Sequence, residues 1–249
     1  MEIRGRRIIV TGGAKGIGRA LAGRLSGLGA VVGVYDIDRA SLDSLSEEFE
    51  NIHCYECDLT DEKQVSETVD RSYREMGGIE ILVNNAGAIL NSPLVGFSSD
   101  GIRMHDVAGW ERSIAVNLSS VFYTTVNVVG KMVSDRARGL IVNVSSICAS
   151  GNAGQCAYSA AKAGVNALTV TWAKELSPFG IRVAGVAPGF TETGSMASSM
   201  TEEKIEEWSE LTPSGRMAAP EEIADGIVFI IGNDFINGRI IEIDGGLRI

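Results

Sequence analysis

The chain has 249 residues, of which 45% are hydrophobic and 22% are charged, and its formal net charge at pH 7 is −10. This acidity argues against a nucleic-acid partner, because neutralising phosphates requires clustered basic residues. No apolar run approaches the roughly 18 residues of a membrane span, and the N-terminus lacks the pattern of a signal peptide. We therefore expect a cytoplasmic protein with one domain spanning 1–249 and no membrane partner.

Short β-branched runs alternate with helical stretches along the chain. Seven runs are typical of strands, several of them continuously apolar, as in parallel strands buried on both faces: 7–13, 31–38, 53–60, 79–87, 139–146, 180–189 and 238–246. Helices are predicted between them, at 16–29, 40–49, 61–76, 106–133, 155–177 and 220–231. The alternation predicts an α/β fold, a Rossmann-type doubly wound parallel sheet with helices on both faces. In such sheets, ligands bind beyond the carboxyl ends of the strands.

The first predicted strand runs into a glycine-rich turn, TGGAKGIG at 11–18, which opens a helix. Glycines there let backbone N–H groups approach a pyrophosphate, and the helix points its positive end at the same anion. Asp36 ends the second strand, where a carboxylate can accept hydrogen bonds from a ribose diol and repel a 2′-phosphate. Lys15 could instead pair with that phosphate, although its side chain is flexible and could turn to solvent. We favour NAD over NADP.

The four cysteines are not predicted to bind a metal. Cys54 and Cys57 form a C-x-x-C beside His53, but they lie in a strand-like segment and no second pair follows. A structural zinc site needs four ligands at suitable spacing. We expect no metal.

Further motifs follow in chain order: CDLT (57–60), NNAG (84–87), AVNL (115–118), IVNVSS (141–146), YSAAK (158–162), APGFTET (187–193) and DGG (244–246). Together with the glycine turn, they resemble the short-chain dehydrogenase/reductase family over nearly the whole chain. The resemblance implies hydride transfer between a nicotinamide cofactor and an alcohol or ketone.

The resemblance also implies four catalytic residues: Asn117, Ser146, Tyr158 and Lys162. Tyr158 would be the general acid/base. Lys162, one helical turn further on, would lower the pKa of Tyr158 from its usual value near 10 and bind the nicotinamide ribose. Asn117 would complete a proton relay through a water, or would simply be a buried amide that satisfies helix backbone.

The catalytic serine is ambiguous at this stage. Family members usually carry it as the second serine of the pair, 13 residues before the tyrosine. Here Ser146 precedes Tyr158 by 12 residues and Ser145 by 13. We favour Ser146, because a loop absorbs a deletion more easily than a buried strand does.

Cofactor contacts implied by the resemblance fall into four groups. They are Gly12, Lys15, Gly16, Ile17 and Gly18 in the turn, Asp58 and Leu59 at the adenine, Asn85, Ala86 and Gly87 at the adenosine ribose, and Pro188, Gly189, Thr191 and Thr193 at the nicotinamide. The segment Asp244, Gly245 and Gly246 is expected to form a turn at a subunit interface of a homo-oligomer, a tetramer or a dimer.

The substrate is the least determined part of the prediction. A mobile lid is expected at about 191–215, where Met196, Met200, Trp208 and Leu211 either cover a ligand or pack as an ordinary amphipathic helix. The segment 88–109 is longer than in the family and could also rim the pocket. Small polar residues between serine and tyrosine would face the substrate: Cys148, Ser150, Asn152 and Gln155.

These polar residues favour a sugar or polyol as the alcohol or ketone substrate. The alternative is an NADP-dependent 3-oxoacyl-thioester reductase, which an acidic chain with Asp36 fits less well. A different class, a non-catalytic NAD-binding sensor or scaffold, is disfavoured by the intact Ser–Tyr–Lys–Asn set.

Overall fold

A computed structural model describes residues 1–98, 101–194 and 201–249. Its centre is a parallel sheet of seven strands: β1 (Arg7–Thr11), β2 (Val31–Asp36), β3 (Ile52–Glu56), β4 (Ile81–Asn84), β7 (Gly139–Val144), β8 (Ile181–Pro188) and β9 (Ile240–Ile243). Two further strands, β5 (Val95–Ser98) and β6 (Gly101–Met104), form an antiparallel hairpin outside that sheet. The strand order is β3-β2-β1-β4-β7-β8-β9. The direction of winding therefore reverses between β1 and β4, where such sheets bind their ligands.

The helices are α1 (Gly16–Gly27), α2 (Arg39–Glu48), α3 (Glu62–Met76), α4 (Val107–Ile114), α5 (Ser120–Ser134), α6 (Cys156–Glu175), α7 (Glu202–Leu211) and α8 (Pro220–Gly232). A π-helical turn, Ala115–Ser119, separates α4 from α5. The sequence predicted one helix over 106–133, and the structure interrupts it at this turn.

Successive residues of a strand point to opposite faces of a sheet, and this creates two apolar cores. Ile8 and Val10 of β1 belong to the core under α1, α2 and α8, whereas Ile9 belongs to the core under α3, α5 and α6. A strand buried on both faces has to be apolar at every position, as β1, β4 and β7 nearly are. The predicted doubly wound sheet is therefore confirmed.

Polar residues begin the helices that follow the strands. The Asp38 side chain accepts a hydrogen bond from the backbone N–H of Ser41 at the start of α2, and Asp61 caps α3 in the same way. At the other end of α3, Gly77 has a φ of 72°, which favours glycine. Local sequence thus fixes where these helices begin and end.

The β5–β6 hairpin was not predicted as an element, and α7 was expected only as the amphipathic-helix alternative to a lid. Both lie outside the regular strand and helix alternation, the hairpin within the long segment 88–109. In the described part of the chain, every helix is too short or too polar to cross a lipid bilayer.

Candidate active site

The carboxyl ends of the central strands bring most of the sequence-predicted residues to one edge of the sheet. The glycine turn follows β1, Asp36 ends β2, Asn85 follows β4, Ser146 follows β7 and Pro188 ends β8. These strand ends lie on both sides of the gap between β1 and β4, where the direction of winding reverses.

Two glycines allow the turn to approach the segment after β4. Gly12 has a φ of 60°, and a Cβ added there would lie 2.8 Å from the Ala86 Cα. A Cβ at Gly18 would clash with the carbonyl oxygen of Gly12. Neither position has room for a side chain, so the turn keeps its backbone exposed to a ligand.

Thr11 and Asn85 hold this turn in place. The Thr11 hydroxyl oxygen accepts the backbone N–H groups of Asn85 and Ala86 at 3.0 and 3.1 Å. The Asn85 side-chain amide donates to the carbonyl oxygens of Thr11 and Gly12 at 3.0 and 2.9 Å. The Asn85 side chain thus ties the end of β4 to the turn, and the expected position of Asn85 at the adenosine ribose stays a prediction. Thr11 was not predicted as a site residue, although it is the first residue of the quoted glycine motif.

The N-terminus of α1 is open to an anion. Lys15 occupies the capping position and makes no side-chain hydrogen bond to the first-turn N–H groups. Ile17 follows in the first turn, half-buried against the core. On the other side of the turn, Thr193 lies close to Gly16, since a Cβ there would be 3.1 Å from the Thr193 methyl carbon. A free helix N-terminus beside glycine backbone is the arrangement that binds pyrophosphate.

The Asp36 carboxylate lies against the glycine turn. It accepts the backbone N–H of Ala14 at 3.1 Å with one oxygen and that of Asp38 at 3.1 Å with the other. The Lys15 ammonium forms an ion pair with Asp38. This pairing lowers the pKa of Asp38 to about 2 and raises the pKa of Lys15. The charge of Lys15, an exposed side chain, is thus matched by a carboxylate two residues beyond Asp36.

Asp58 and Leu59 lie at the next strand end, after β3. The backbone N–H of Cys57 donates to the Asp36 carbonyl oxygen at 2.9 Å, which places this segment beside β2. The Asp58 carboxylate accepts hydrogen bonds from the backbone and hydroxyl of Thr60 at 2.9 and 2.7 Å. Both residues are near enough to the Asp36 end of the edge to serve an adenosine.

Ser146, Tyr158 and Lys162 come together at the end of β7 and the start of α6. The Ser146 hydroxyl accepts the backbone N–H of Cys148 at 3.1 Å and lies close enough to Tyr158 to influence its pKa. The Lys162 ammonium lies 5.7 Å from the centroid of the Tyr158 ring and donates to the Val144 carbonyl oxygen at 2.8 Å. Tyr158 and Lys162 are both buried. The hydroxyl and the ammonium that the sequence paired on one helical face thus meet at one site.

The two serines point to different partners. The Ser145 hydroxyl donates to the Lys162 carbonyl oxygen at 3.3 Å, on the backbone of α6, whereas the Ser146 hydroxyl accepts the Cys148 N–H at 3.1 Å and influences the pKa of Tyr158. Adjacent residues of an extended chain face opposite sides. This arrangement supports Ser146 as the candidate catalytic serine.

The pKa of Tyr158 differs from the expectation. Burial raises it to about 12, although the nearby Ser146 hydroxyl acts in the opposite direction. Burial also lowers the pKa of Lys162 to about 8. The net shift of the Tyr158 pKa is therefore upward in the chain alone, because removal of the phenol from water is the largest influence on it. That the charge of Lys162 lowers the pKa of Tyr158 stays a prediction.

Asn117 lies buried in the π-helical turn. Its side-chain oxygen accepts the Ala88 N–H at 3.0 Å, and its side-chain nitrogen donates to the carbonyl oxygens of Ala88 and Ser113 at 2.9 and 3.0 Å. These are the contacts of a structural amide, which was the alternative interpretation. Gly87 lies between this amide and Lys162, since its Cβ would be 2.9 Å from the Asn117 side-chain oxygen and 3.4 Å from the Lys162 nitrogen. A proton relay through Asn117 stays a prediction.

The polar residues between serine and tyrosine bond mainly to one another. The Asn152 side-chain nitrogen donates to the Gln155 side-chain oxygen at 3.2 Å, and the Gln155 side-chain nitrogen donates to Asn91 at 2.9 Å. Cys148 is buried, and Ser150 is exposed. Two of the four side chains that were expected to face a hydroxylated substrate are therefore already engaged.

The segment after β8 only partly follows the expected lid. Gly189 leaves no space for a side chain, because a Cβ would lie 2.8 Å from the Asp244 Cα. The Thr191 hydroxyl donates to the Gly189 carbonyl oxygen at 3.2 Å. In α7, the Trp208 ring packs 4.4 Å from the Phe190 ring, as in ordinary helix packing, while Leu211 is exposed. Met196 and Met200 lie outside the described residues.

The DGG motif forms the expected turn after β9. The Asp244 side chain accepts the Gly246 N–H at 2.8 Å, and Gly245 and Gly246 have φ values of 63° and 89°. Whether this turn contacts another subunit stays a prediction. The four cysteines are unpaired, and no three or more His, Cys, Asp or Glu residues of the described chain are grouped to hold a metal ion.

Comparisons with known proteins agree with this geometry. The family model of the short chain dehydrogenases matches residues 6–204. A Thermotoga maritima protein named 3-oxoacyl-(acyl-carrier-protein) reductase FabG is 40% identical over 256 residues, with all of both chains covered. The human (3R)-3-hydroxyacyl-CoA dehydrogenase is 34% identical over 263 residues, covering 99% of this chain and 97% of that one. Among solved structures, the crystal structure of gox2181 superposes with a TM-score of 0.89 at 28% identity, covering 98% of this chain and 97% of that chain.

Proposed function

The chain belongs to the short-chain dehydrogenase family and is an NAD(P)-dependent oxidoreductase acting on CH–OH or keto groups, and we propose that it interconverts 3-oxoacyl and 3-hydroxyacyl thioesters with NAD(H). The observation that carries the chemistry is the pairing of buried Tyr158 and Lys162 near Ser146, with the Lys162 ammonium 5.7 Å from the centroid of the Tyr158 ring. The substrate class rests on the names of the relatives.

Both curated relatives described above are named for acyl thioesters, one on an acyl carrier protein and one on coenzyme A. These names favour the thioester alternative over a sugar or polyol. The sugar hypothesis depended on free polar groups beside the site, and Asn152 and Gln155 are hydrogen-bonded to each other. A thioester needs fewer polar partners, because its acyl chain is apolar.

In the proposed reduction, the Tyr158 hydroxyl donates its proton to the oxygen of the 3-oxo group. When bound, the nicotinamide supplies the hydride that reduces the carbonyl carbon. The Ser146 hydroxyl donates a hydrogen bond to the same oxygen and stabilises its developing negative charge. Lys162 lies behind the ring, where its positive charge stabilises the tyrosinate that remains. The reverse reaction takes the proton from the 3-hydroxyl group back to Tyr158.

The glycine turn and the open N-terminus of α1 fit a dinucleotide, since the turn leads directly into a helix whose first-turn N–H groups have no side-chain cap. We propose NAD over NADP because Asp36 and Asp38 together place two carboxylates beside the turn. The nearby cation, Lys15, is already paired with Asp38. A 2′-phosphate there would meet net negative charge.

The test is the oxidation of NADH with acetoacetyl-CoA, compared with NADPH and with a panel of sugars, polyols and hydroxyacids. Tyr158→Phe should lower kcat by about 10²- to 10⁴-fold, the range of general acid–base catalysis, while the variant still binds NADH. The matched control is Tyr73→Phe, which removes only a surface hydrogen bond to Asp135. Turnover of a polyol with none of acetoacetyl-CoA would overturn the thioester assignment.

A further inference from the structure

The β5–β6 hairpin has one apolar and one polar face. Val95 lies opposite Met104, and Phe97 lies opposite Ile102, so these four side chains share one face of the ribbon. The pair between them, Gly96 opposite Arg103, belongs to the other face. Four large apolar side chains are thus collected on a two-stranded ribbon that lies outside the main sheet.

This apolar face is exposed in the isolated chain. The accessible fractions are 86% for Phe97, 71% for Ile102, 60% for Met104 and 47% for Val95. Single exposed apolar residues are normal, but a contiguous group on a protruding element usually marks a binding surface. None of the four belongs to the apolar clusters that form the core of the described chain.

The hairpin is attached to the rim of the candidate active site. Asn91 accepts the hydrogen bond from the Gln155 side chain at 2.9 Å, and the Ser92 N–H donates to the Gly154 carbonyl oxygen at 2.8 Å. Gln155 is buried and lies three residues before Tyr158. Three residues also separate Ser92 from Val95, so β5 begins within about 10 Å of the rim.

From this placement we propose that the apolar face formed by Val95, Phe97, Ile102 and Met104 binds the acyl chain of the substrate. The inference rests on the proposed thioester reaction, which brings an apolar chain to this end of the sheet. Short acyl groups end within the site, whereas long ones extend past its rim to the hairpin. The hairpin therefore makes the enzyme selective for long-chain 3-oxoacyl thioesters.

The charges around the hairpin are consistent with this occupant. The apolar face itself carries no charged residue, and the only charged residue of the two strands, Arg103, lies on the opposite face. A hydrocarbon chain needs no polar partner. Each of its methylenes that is fully buried on binding increases the affinity by a factor of about four.

The experiment compares kcat/KM for acetoacetyl-CoA and 3-oxododecanoyl-CoA in the wild type and in the double variant Phe97→Thr/Ile102→Thr. Threonine keeps the β-propensity of the strands while it removes apolar area. We expect the variant to lose about tenfold or more in kcat/KM with the long substrate, equivalent to about two buried methylenes, and to match the wild type with acetoacetyl-CoA. Arg103→Thr, on the polar face, and Phe235→Thr, a fully exposed phenylalanine outside the hairpin, are the controls.

An unchanged ratio of long-chain to short-chain kcat/KM in the double variant overturns the inference and leaves the proposed function standing. Failure of the wild type to reduce either thioester overturns the proposed function and the inference together. Light scattering of the wild type and the double variant separates a third outcome. A smaller oligomer for the variant, with its chain-length preference intact, would assign this face to a second copy of the chain and overturn the acyl-chain assignment.

Discussion

Lys162 and Tyr158 are buried side by side, with the ammonium nitrogen 5.7 Å from the centre of the phenol ring, and burial reverses the order in which they titrate. The pKa of Lys162 falls to about 8, and that of Tyr158 rises to about 12. Lys162 therefore loses its proton before Tyr158 does. At neutral pH the pair consists of an ammonium and a neutral phenol, which is the form that a proton donor for reduction requires.

The order of titration predicts how reduction depends on pH. Lys162 is charged below its pKa of about 8 and neutral above it, so the stabilisation that it gives to the tyrosinate is lost as the pH rises through that value. We expect kcat/KM for reduction to fall above about pH 8, well before Tyr158 itself ionises. Initial rates of NADH oxidation from about pH 6 to about pH 10 measure this profile.

Lys162→Arg provides the control, because a guanidinium stays charged over the whole range. If the variant folds and retains activity, its fall should move to higher pH. A wild-type profile that stays flat through pH 8 would contradict the assignment of this titration to Lys162.

Ser145 and Ser146 are expected to differ sharply in function despite being adjacent. Ser146→Ala removes the hydroxyl proposed to bind the substrate oxygen and should lower kcat by about 10²- to 10³-fold. Ser145→Ala removes only a hydrogen bond of 3.3 Å to the backbone of α6 and should change kcat by less than about tenfold. Steady-state kinetics of the two variants decide between them, and a larger loss at Ser145 would reverse the assignment.

Cofactor choice is expected to depend on Asp36. Asp36→Ala should weaken NADH binding and lower the ratio of kcat/KM with NADH to that with NADPH by about tenfold or more, since hydrogen bonds to a charged group contribute about 1.5–3 kcal/mol. Asp43→Ala is the matched control, because that carboxylate pairs with Arg39 on the surface of α2. Titrations with both cofactors give the ratio. A wild type that prefers NADPH would refute the role given to Asp36.

A ladder of buried polar side chains crosses the centre of the sheet, and it was not predicted from the sequence. The Asn84 side-chain nitrogen donates to the Asn143 side-chain oxygen at 2.9 Å, and the Asn143 nitrogen donates to the Thr169 hydroxyl at 2.9 Å. Asn143→Ala removes two buried side-chain hydrogen bonds and leaves a cavity, while Asn84 keeps its bond to Thr125 and Thr169 keeps its bond to Val165. It should lower the free energy of unfolding by about 2–4 kcal/mol.

Urea unfolding measures this loss. The control is Asn127→Ala, which removes one hydrogen bond from a side-chain amide to the Tyr123 carbonyl oxygen on the half-buried surface of α5. It should lower the free energy of unfolding by about 1 kcal/mol or less. Equal losses for the two variants would show that the ladder contributes no more than an ordinary hydrogen bond.

The strands and most helices could be predicted because burial on both faces of a parallel sheet demands apolar runs, as in Ile81–Asn84, and because glycine-rich turns separate them. The π-helical turn at Ala115–Ser119 could not be predicted, since a shifted hydrogen-bond register leaves no mark on apolar spacing. The hairpin was missed for a different reason. Its two strands have only four residues each, so the alternation of apolar and polar side chains is too short to identify them as strands.

At the candidate site, motif spacing placed Tyr158, Lys162 and the glycine turn on one edge, but it could not give side-chain orientation. The partners of Ser145 and Ser146 depend on how β7 ends, and the pairing of Lys15 with Asp38 depends on a contact across the turn. The pKa of Tyr158 depends on how completely the ring is buried. None of these quantities is local in sequence.

The two hydrogen bonds from the Asn85 side-chain amide to the carbonyl oxygens of Thr11 and Gly12 have a consequence for cofactor affinity. A glycine-rich segment is the most mobile kind of backbone, and a ligand that had to immobilise it would bind weakly. Here the protein immobilises the glycine-rich segment when it folds. The side chain that does so belongs to Asn85, which directly follows β4, the strand next to β1 in the sheet. Preorganisation of the cradle is thus built into the sheet, and a residue that need not touch the dinucleotide helps to set how tightly it is held.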